Sequence, residues 1–413
     1  MKKIAVMLPL GYRGGSLRGA KSIAKSIAMM ARREGDDIQV VFSYLTAGNY
    51  DLYSDFNDLK EYGISLRETT WKLFSRDTLQ ATLPLLDIDP AILVSDQYCL
   101  PADGANDFFD CDLWVVVSDR LPAPLFPLRK YACVIYDYIQ RYVPEIWGEG
   151  LNWQIQEQTF FPLLRNAARV FVTTPSTRAD MVAYAGVNTS QIALMEMDFE
   201  PPVPNHKDDR FDLDLPARYF VWETNPIFHK NHVHALDALA IYYQELGGKF
   251  DLLITGSGSE YLDPEREFDP GDLVMQMPQI QLARQMIKTN PSLRGHLQIL
   301  GHIPEKLLSH VLKHARFLWH PARYDNGTFS VIEAAYFHHP SVSARYPAME
   351  YIDRSFDLNL SFVNPHDPHE IAKALLDMQK NYHTIELPQR KSLLARSWQA
   401  HAPALYREIR ELL

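Results

Sequence analysis

Short apolar runs rich in β-branched residues recur along the whole chain, and stretches with helical spacing separate them. Strands buried on both faces have this composition, and their alternation with helices predicts parallel sheets covered by helices. The predicted strands span residues 4–8, 38–42, 113–117, 133–136 and 170–174, and then 219–222, 251–255, 297–300, 317–320, 341–344 and 361–364.

At 413 residues the chain exceeds what one hydrophobic core usually supports. Residues 200–214 are rich in proline and charge and poor in core residues, which predicts a linker. We therefore predict two doubly wound α/β domains, at residues 1–205 and 206–390. A helical segment at 391–413, bent or divided at Pro403, is a candidate to cross back to the first domain. Ligands of such sheets bind beyond the carboxyl ends of the strands.

Composition excludes several classes of protein. A net charge of -10 argues against general nucleic-acid binding, and no apolar run approaches the length of a membrane span. The apolar start lacks a cleavage-type site and is interpreted as a first strand, which predicts a cytoplasmic protein. The three cysteines and 15 histidines match no compact ligand spacing, so we predict no metal site.

The stretch Y-D-N-G-T-F-S-V-I-E at residues 324–333 places Asp325 and Glu333 on either side of a predicted helix start. Asn326 and Gly327 break the preceding strand, and Thr328 is a candidate N-cap. Unpaired amides at residues 327–329 and the helix dipole would favour a diphosphate. The alternative is that Asp325 is a turn residue and Glu333 a surface helix residue.

Two further segments of the second half follow predicted strands. The run W-E-T-N-P-I-F-H-K-N-H contains Thr224 and places Lys230 and Asn231 at the opening of a helix, where a lysine can hold a diphosphate. In L-L-I-T-G-S-G-S-E, Gly256 begins a glycine-rich turn that lacks the third glycine of a dinucleotide fingerprint.

The order of these elements resembles the C-terminal half of retaining glycosyltransferases of family 4, which have the GT-B fold of two Rossmann-like domains facing a central cleft. The family's carboxylate, seven residues and glutamate correspond to Asp325 and Glu333, with aspartate at the usual glutamate position. The lysine of the family's P-R-K-N-like turn matches Lys230, with His229 at the arginine position. The resemblance covers residues 210–400 well and the first half more loosely.

In the first half, G-Y-R-G-G-S-L-R-G-A-K is similar to the family's glycine-rich loop, which implies that Gly14 and Gly15 approach a substrate closely. The segment V-I-Y-D-Y looks like the family's His-Asp segment, with Tyr136 at the histidine position and Asp137 matching. Asp137 is a candidate to assist the acceptor, and a turn-forming aspartate is the alternative.

The resemblance implies the remaining roles. Glu333 would bind the donor ribose, Asp325 would orient the sugar, and Lys230 would stabilise the leaving diphosphate, with no enzymatic nucleophile, metal or cofactor required. Asp325, Lys230, Glu333 and Asp137 are the predicted catalytic residues. The predicted donor site comprises Gly14, Gly15, Thr224, Lys230, Asn231, Gly256, Asn326, Gly327, Thr328 and Glu333.

A basic stripe on the first predicted helix suggests a further partner. Arg18, Lys21, Lys25 and Arg32 recur at helical spacing, and residues 1–40 hold eight Lys or Arg against three Asp or Glu. One hypothesis is contact with a lipid-diphosphate acceptor or an anionic membrane surface at the inner face of the membrane. The alternative is an ordinary solvated helix face.

Together these features predict a retaining hexosyltransferase that moves a sugar from a nucleoside-diphosphate donor to a glycan or lipid-linked acceptor in surface polysaccharide synthesis. The lysine turn favours GDP-mannose. Two alternatives stay open: a sugar-nucleotide epimerase on the same fold, and a catalytically silent GT-B scaffold protein. The substitutions at Asp325, Tyr136 and His229 motivate the second alternative.

Overall fold

The computed structural model describes residues 1–86, 89–147, 152–196, 199–202, 213–326 and 328–413. The chain divides into two compact units. Unit 1 comprises Met1–Asp137, Glu149–Asp198 and Trp398–Leu413, and unit 2 comprises Tyr138–Gly148 and Phe199–Ser397. Most of the predicted linker, residues 203–212, lies outside the described residues.

The strands of unit 1 are β1 (Lys2–Leu8), β2 (Ile38–Leu45), β3 (Ser65–Ser75), β4 (Gln97–Ala102), β5 (Leu113–Val117), β6 (Lys130–Ile135), β7 (Arg169–Val172) and β8 (Ile192–Leu194). Those of unit 2 are β9 (Tyr219–Glu223), β10 (Asp251–Thr255), β11 (Leu297–Gly301), β12 (Leu318–His320), β13 (Ser341–Ala344) and β14 (Ser361–Val363).

The α-helices are α1 (Gly14–Glu34), α2 (Asn57–Glu61), α3 (Arg76–Leu86), α4 (Ile139–Tyr142), α5 (Asn152–Arg165), α6 (Pro175–Ala183), α7 (His232–Gln244), α8 (Pro278–Thr289), α9 (Pro291–His296), α10 (Glu305–His314), α11 (Phe329–Tyr336), α12 (Pro347–Phe356), α13 (Pro368–Asn381), α14 (Arg390–Leu394) and α15 (Trp398–Glu411).

Within the described part of unit 1, the strands form an eight-stranded sheet in the order β4-β3-β2-β1-β5-β6-β7-β8. Every pairing is parallel except that of β3 with β4, which is antiparallel. The central strand β1 is buried from Ile4 to Leu8, which explains its continuous apolar sequence. The last helix, α15, belongs to this unit and continues through Pro403 without division.

Helix α15 completes the core of unit 1 by packing against α1. Ile409 and Tyr406 of α15 are buried in the same apolar cluster as Ile23 and Ile27 of α1. The hydroxyl of Tyr406 donates a hydrogen bond to Asp36 at 2.6 Å, just beyond the end of α1. The C-terminal residues therefore contribute to the fold of the first unit, although the chain reaches them after the second.

Within the described part of unit 2, six parallel strands form a sheet in the order β11-β10-β9-β12-β13-β14. Its core includes the large aromatic side chains of Phe220, Trp222 and Trp319, and the ring centroids of Phe220 and Trp222 lie 6.1 and 5.2 Å from that of Trp319. The predicted pair of parallel-sheet α/β domains is thus confirmed.

Two smaller expectations concern the cysteines and the membrane. Cys99, Cys111 and Cys133 are buried free thiols, as predicted, and burial raises the pKa of Cys99 to about 12. Across the residues described, no helix combines the length and the apolar character needed to cross a bilayer.

Candidate active site

The loops that follow β9 and β12 bring Lys230 and Asp325 together at the carboxyl edge of the unit 2 sheet. The ammonium of Lys230 donates a hydrogen bond to Oδ2 of Asp325. Lys230 ends a short 3-10 turn, Phe228–Lys230, and α7 begins only at His232. Of the two residues expected to open the helix, Asn231 is its N-cap, with a left-handed backbone (φ 67°), and Lys230 precedes it in the turn.

Two histidines surround the Lys230–Asp325 pair. His229 Nε2 lies 4.0 Å and His320 Nε2 3.8 Å from Asp325 Oδ2, and both rings are buried. Burial and the charge of Lys230 lower the pKa of His229 to about 3 and that of His320 to about 4. Both histidines are therefore neutral at pH 7, and Lys230 supplies the positive charge next to Asp325.

Asp325 remains ionised although its side chain is buried. Burial by itself would raise its pKa, but the charge of Lys230, with smaller contributions from the two histidines, holds the pKa below its usual range. The backbone amide of Asn326 donates to Oδ1 at 2.9 Å, which satisfies the second carboxylate oxygen. Asp325 is therefore a buried, hydrogen-bonded carboxylate in the loop between β12 and α11.

Helix α11 begins next to this carboxylate. Thr328 is the N-cap, as predicted, because its hydroxyl accepts from the Ser330 amide at 3.2 Å. Gly327, which the sequence places in the donor site, lies outside the described residues. Glu333 lies in the second turn of α11 with only 2% of its surface exposed, so its interpretation as a surface residue is wrong.

Two other predicted donor residues, Asn231 and Thr224, stabilise the loops of this edge. The Asn231 side-chain amide donates to the carbonyls of Pro321 at 3.0 Å and Pro365 at 2.7 Å, which joins the loops after β9, β12 and β14. The Thr224 hydroxyl lies 3.1 Å from His232 Nε2, and the Thr224 amide donates to the Thr255 carbonyl at 2.8 Å.

Gly256 follows β10 with φ 120°, a backbone conformation that side chains disfavour. A Cβ there would lie 2.1 Å from the carbonyl oxygen of Thr224. Glycine is therefore required at this position, because it allows the loops after β9 and β10 to approach each other closely.

In unit 1, the glycine-rich loop and the Tyr136-Asp137 segment also meet at a carboxyl edge. Gly14 has φ 58° and begins α1, with Gly15 next to it. Burial raises the pKa of Tyr12 in this loop, and the charge of Asp137 acts in the same direction. Asp137 comes two residues after the end of β6, next to Tyr136. The structure thus places its carboxylate within electrostatic range of the glycine-rich loop.

Several residues of these two edges were not predicted. In unit 1, Ser118 follows β5 with φ 142°, a strained conformation for serine, and lies 3.2 Å from the Tyr12 hydroxyl. In unit 2, the Tyr346 hydroxyl lies 3.1 Å from His320 Nε2. The sequence did contain a signal for each of these residues. Each one ends or follows a buried strand, and ligands bind at that edge of a parallel sheet.

Two of the four cations of the basic stripe on α1 share one carboxylate within unit 1. The ammonium groups of Lys21 and Lys25 lie 2.8 and 3.3 Å from the Asp58 carboxylate, and Lys25 also lies 5.2 Å from the centre of the Trp398 ring. Lys25 is only 3% exposed. Arg18 is half-buried and Arg32 is exposed. The stripe therefore includes a buried cation, which neither the membrane hypothesis nor the solvated-face alternative anticipated.

No protein-family model matches the chain, and no curated protein matches its sequence. Solved structures do match over 100% of the chain. A sucrose-phosphate synthase from Thermosynechococcus elongatus is 15% identical with a TM-score of 0.65 over 99% of its own chain. A glycosyltransferase from Rickettsia africae is 11% identical (TM-score 0.61, 98% of its chain). Anabaena HepE, solved with UDP and glucose, is 13% identical (TM-score 0.60, 99% of its chain). At these identities the likeness establishes the fold, and the prediction of a GT-B fold is confirmed.

Proposed function

We propose that the chain is a retaining, metal-independent glycosyltransferase that moves a hexose from a nucleoside-diphosphate sugar to a glycan or lipid-linked acceptor. The observation that carries this proposal is the Lys230–Asp325 pair, a buried carboxylate and a cation beside the N-terminus of α11. The GT-B fold and the resemblance of the Asp325 to Glu333 segment to family 4 add support.

The chemistry of these groups suits a diphosphate leaving group. Negative charge on the diphosphate increases as the bond to the sugar breaks, and a cation fixed at that point stabilises the transition state. Lys230 can supply this charge, because its side chain is 14% exposed and its neighbours His229 and His320 are neutral. Asp325, held ionised, is suited to accept hydrogen bonds from sugar hydroxyls, and Glu333 is assigned to the donor ribose.

The sugar and the acceptor follow from weaker features. The lysine turn favours GDP-mannose, whereas the HepE structures contain UDP, UDP-glucose, or UDP with glucose, which makes UDP-glucose the second donor to test. We assign the acceptor to surface polysaccharide synthesis, with Asp137 assisting its hydroxyl. The protein would then work in the cytoplasm, where nucleotide sugars are made.

Thermal stabilisation by GDP, UDP, dTDP and ADP and by their common sugar derivatives tests the donor site. A ligand present at 100 times its dissociation constant should contribute about 2.7 kcal/mol. Selective stabilisation by one nucleotide, lost in Lys230→Met and kept in the exposed-lysine control Lys288→Met, is the expected result. Product analysis then distinguishes the alternatives: an epimerase isomerises the donor without acceptor, and a silent scaffold turns over no donor. The anomeric configuration of a transferred sugar tests retention.

A further inference from the structure

The amino edge of the unit 2 sheet carries a cavity of about 390 Å³ that is lined by cations. This volume falls in the range of small-molecule sites, about 300–1,000 Å³. Because the strands are parallel, the cavity lies at the edge opposite to Lys230 and Asp325 and is separate from the candidate active site. Its basic side chains are Arg218, Lys249, Arg316, Lys380 and His383.

The register of the sheet brings these cations together. Arg218 directly precedes β9, Lys249 lies two residues before β10, and Arg316 lies two residues before β12. These three strands are neighbours in the order β10-β9-β12, so each contributes a cation to the same edge. Lys380 lies in the last turn of α13, and His383 follows in the next turn.

These cations lack carboxylate partners in the described part of the chain. None of Arg218, Lys249, Arg316 and Lys380 forms an ion pair there, and the guanidinium of Arg316 donates a hydrogen bond to the Ala217 carbonyl at 3.5 Å. Asp251, at the start of β10, is instead held by His296 Nδ1 at 2.7 Å. The dipole of α13 explains the position of Lys380, because cations are favoured at helix C-termini. It does not explain the positions of the three cations that precede strands.

The walls of the cavity are fixed by hydrogen bonds. Gln379 Oε1 accepts from the backbone amides of Lys249 at 2.8 Å and Phe250 at 3.3 Å, and also from the Tyr242 hydroxyl. This one side chain joins the Lys249 loop to α13, next to Lys380. The cations therefore project from positions that the fold determines, and not from unconnected surface segments.

We propose that this cavity binds a phosphate-bearing anion. Several like charges around one cavity repel each other, and a ligand with two or more negative charges removes that repulsion while accepting charge-assisted hydrogen bonds. A free phosphorylated molecule and a phospholipid headgroup share this chemistry, and the two sources are separated by experiment.

The test uses the full chain and two triple variants with the same charge change. The cavity variant is Arg218→Gln/Lys249→Gln/Lys380→Gln, and the matched control is Lys288→Gln/Arg354→Gln/Lys373→Gln, at exposed positions of the same unit. Calorimetric titration with inorganic pyrophosphate tests the free ligand. Co-sedimentation with phosphatidylcholine vesicles, with and without phosphatidylglycerol, tests the headgroup.

For whichever probe the wild type binds, we expect roughly tenfold or more weaker binding by the cavity variant, which lacks three of the cations, and no change in the control. Equal weakening in both triple variants would indicate a response to net charge and overturn the proposal. The proposal is also overturned if the wild-type protein binds neither probe. It is overturned as well if the cavity variant binds as tightly as the wild type. If the cavity variant does not unfold cooperatively, Lys249→Gln and Lys380→Gln are each compared with Lys288→Gln.

Discussion

The partly buried ammonium of Lys230 and the buried carboxylate of Asp325 form a hydrogen-bonded pair, although the two residues are 95 positions apart in the chain. The pair joins the loop after β9 to the loop after β12 at the carboxyl edge of the unit 2 sheet. Its charges depend on each other, because each would be expensive to bury alone. Structure and proposed chemistry therefore rest on the same two side chains, and variants can separate them.

Lys230→Met should destabilise the protein by about 3 kcal/mol, because it leaves the Asp325 charge buried without its cation. Adding Asp325→Asn should restore most of that stability, since the asparagine side chain can still accept from the Asn326 amide. Transfer activity should stay at least about 100-fold below wild type in both variants, because the proposed leaving-group cation is absent. Urea unfolding and donor-turnover assays check the two effects. Wild-type transfer activity in the double variant would show that Lys230 takes no part in the reaction.

Stability should fall as the pH is lowered from 7 to 5, because His229, His232 and His320 are buried in neutral form. Burial lowers their pKa values to about 3, 3 and 4, whereas the unfolded histidines titrate near 6.5. Between these limits the unfolded chain binds more protons, so the stability present above pH 6.5 is lost progressively toward pH 4.

His320→Gln should reduce the loss of unfolding free energy between pH 7 and pH 5 by about 2 kcal/mol. The exposed His302→Gln is the matched control and should leave the difference unchanged. Urea unfolding at pH 7 and at pH 5 measures this difference in unfolding free energy. A His320→Gln protein with the wild-type pH dependence would contradict the neutral, buried assignment of this ring.

The strands that the sequence predicts most clearly carry a buried apolar run, such as all of β5 and residues 252–254 of β10. Strand β3 was missed because its sequence, S-L-R-E-T-T-W-K-L-F-S, mixes charged and apolar residues and most of it is exposed or half-buried. Strand β4 pairs antiparallel with β3 at the sheet edge, and β8 has only three residues. A continuous apolar run indicates a buried strand, and a strand of mixed sequence such as β3 gives no such signal.

The site was predictable where one local segment carries the signal, as in the Thr328 cap and the Asp325 to Glu333 spacing. The contacts of Asp325 with His229 and His320 were not predictable. They depend on how the loops after β9 and β12 pack, and isolated histidines along a sequence give no indication of which carboxylate they will approach. The buried position of Lys25 escaped prediction similarly, because α15 and α2 cover a helix face that looks solvated in sequence.

Gly256→Ala should destabilise the protein by about 3 kcal/mol. The added Cβ would collide with the Thr224 carbonyl, and alanine disfavours the required φ of 120°. Gly295→Ala is the matched control, because a Cβ there has no neighbour within 4 Å and Gly295 lies in α9. Alanine in a helix should be neutral or stabilise by about 0.5 kcal/mol. Urea unfolding compares the two, and equal effects would show that the approach of the two loops tolerates a side chain.

Glu333→Gln tests whether the buried carboxylate of α11 binds the donor. Hydrogen bonds to a charged group contribute about 1.5–3 kcal/mol, so loss of the charge should weaken donor binding by roughly tenfold to 100-fold. The exposed Glu245→Gln, at the residue that follows α7 in the same unit, is the control and should bind the donor as wild type does. Calorimetric titration with the nucleoside diphosphate that stabilises the wild type gives the affinity, and thermal unfolding without ligand gives the structural cost. Lower stability with unchanged affinity would assign Glu333 to the fold of unit 2, because a donor contact must affect the bound state beyond any effect on the free protein.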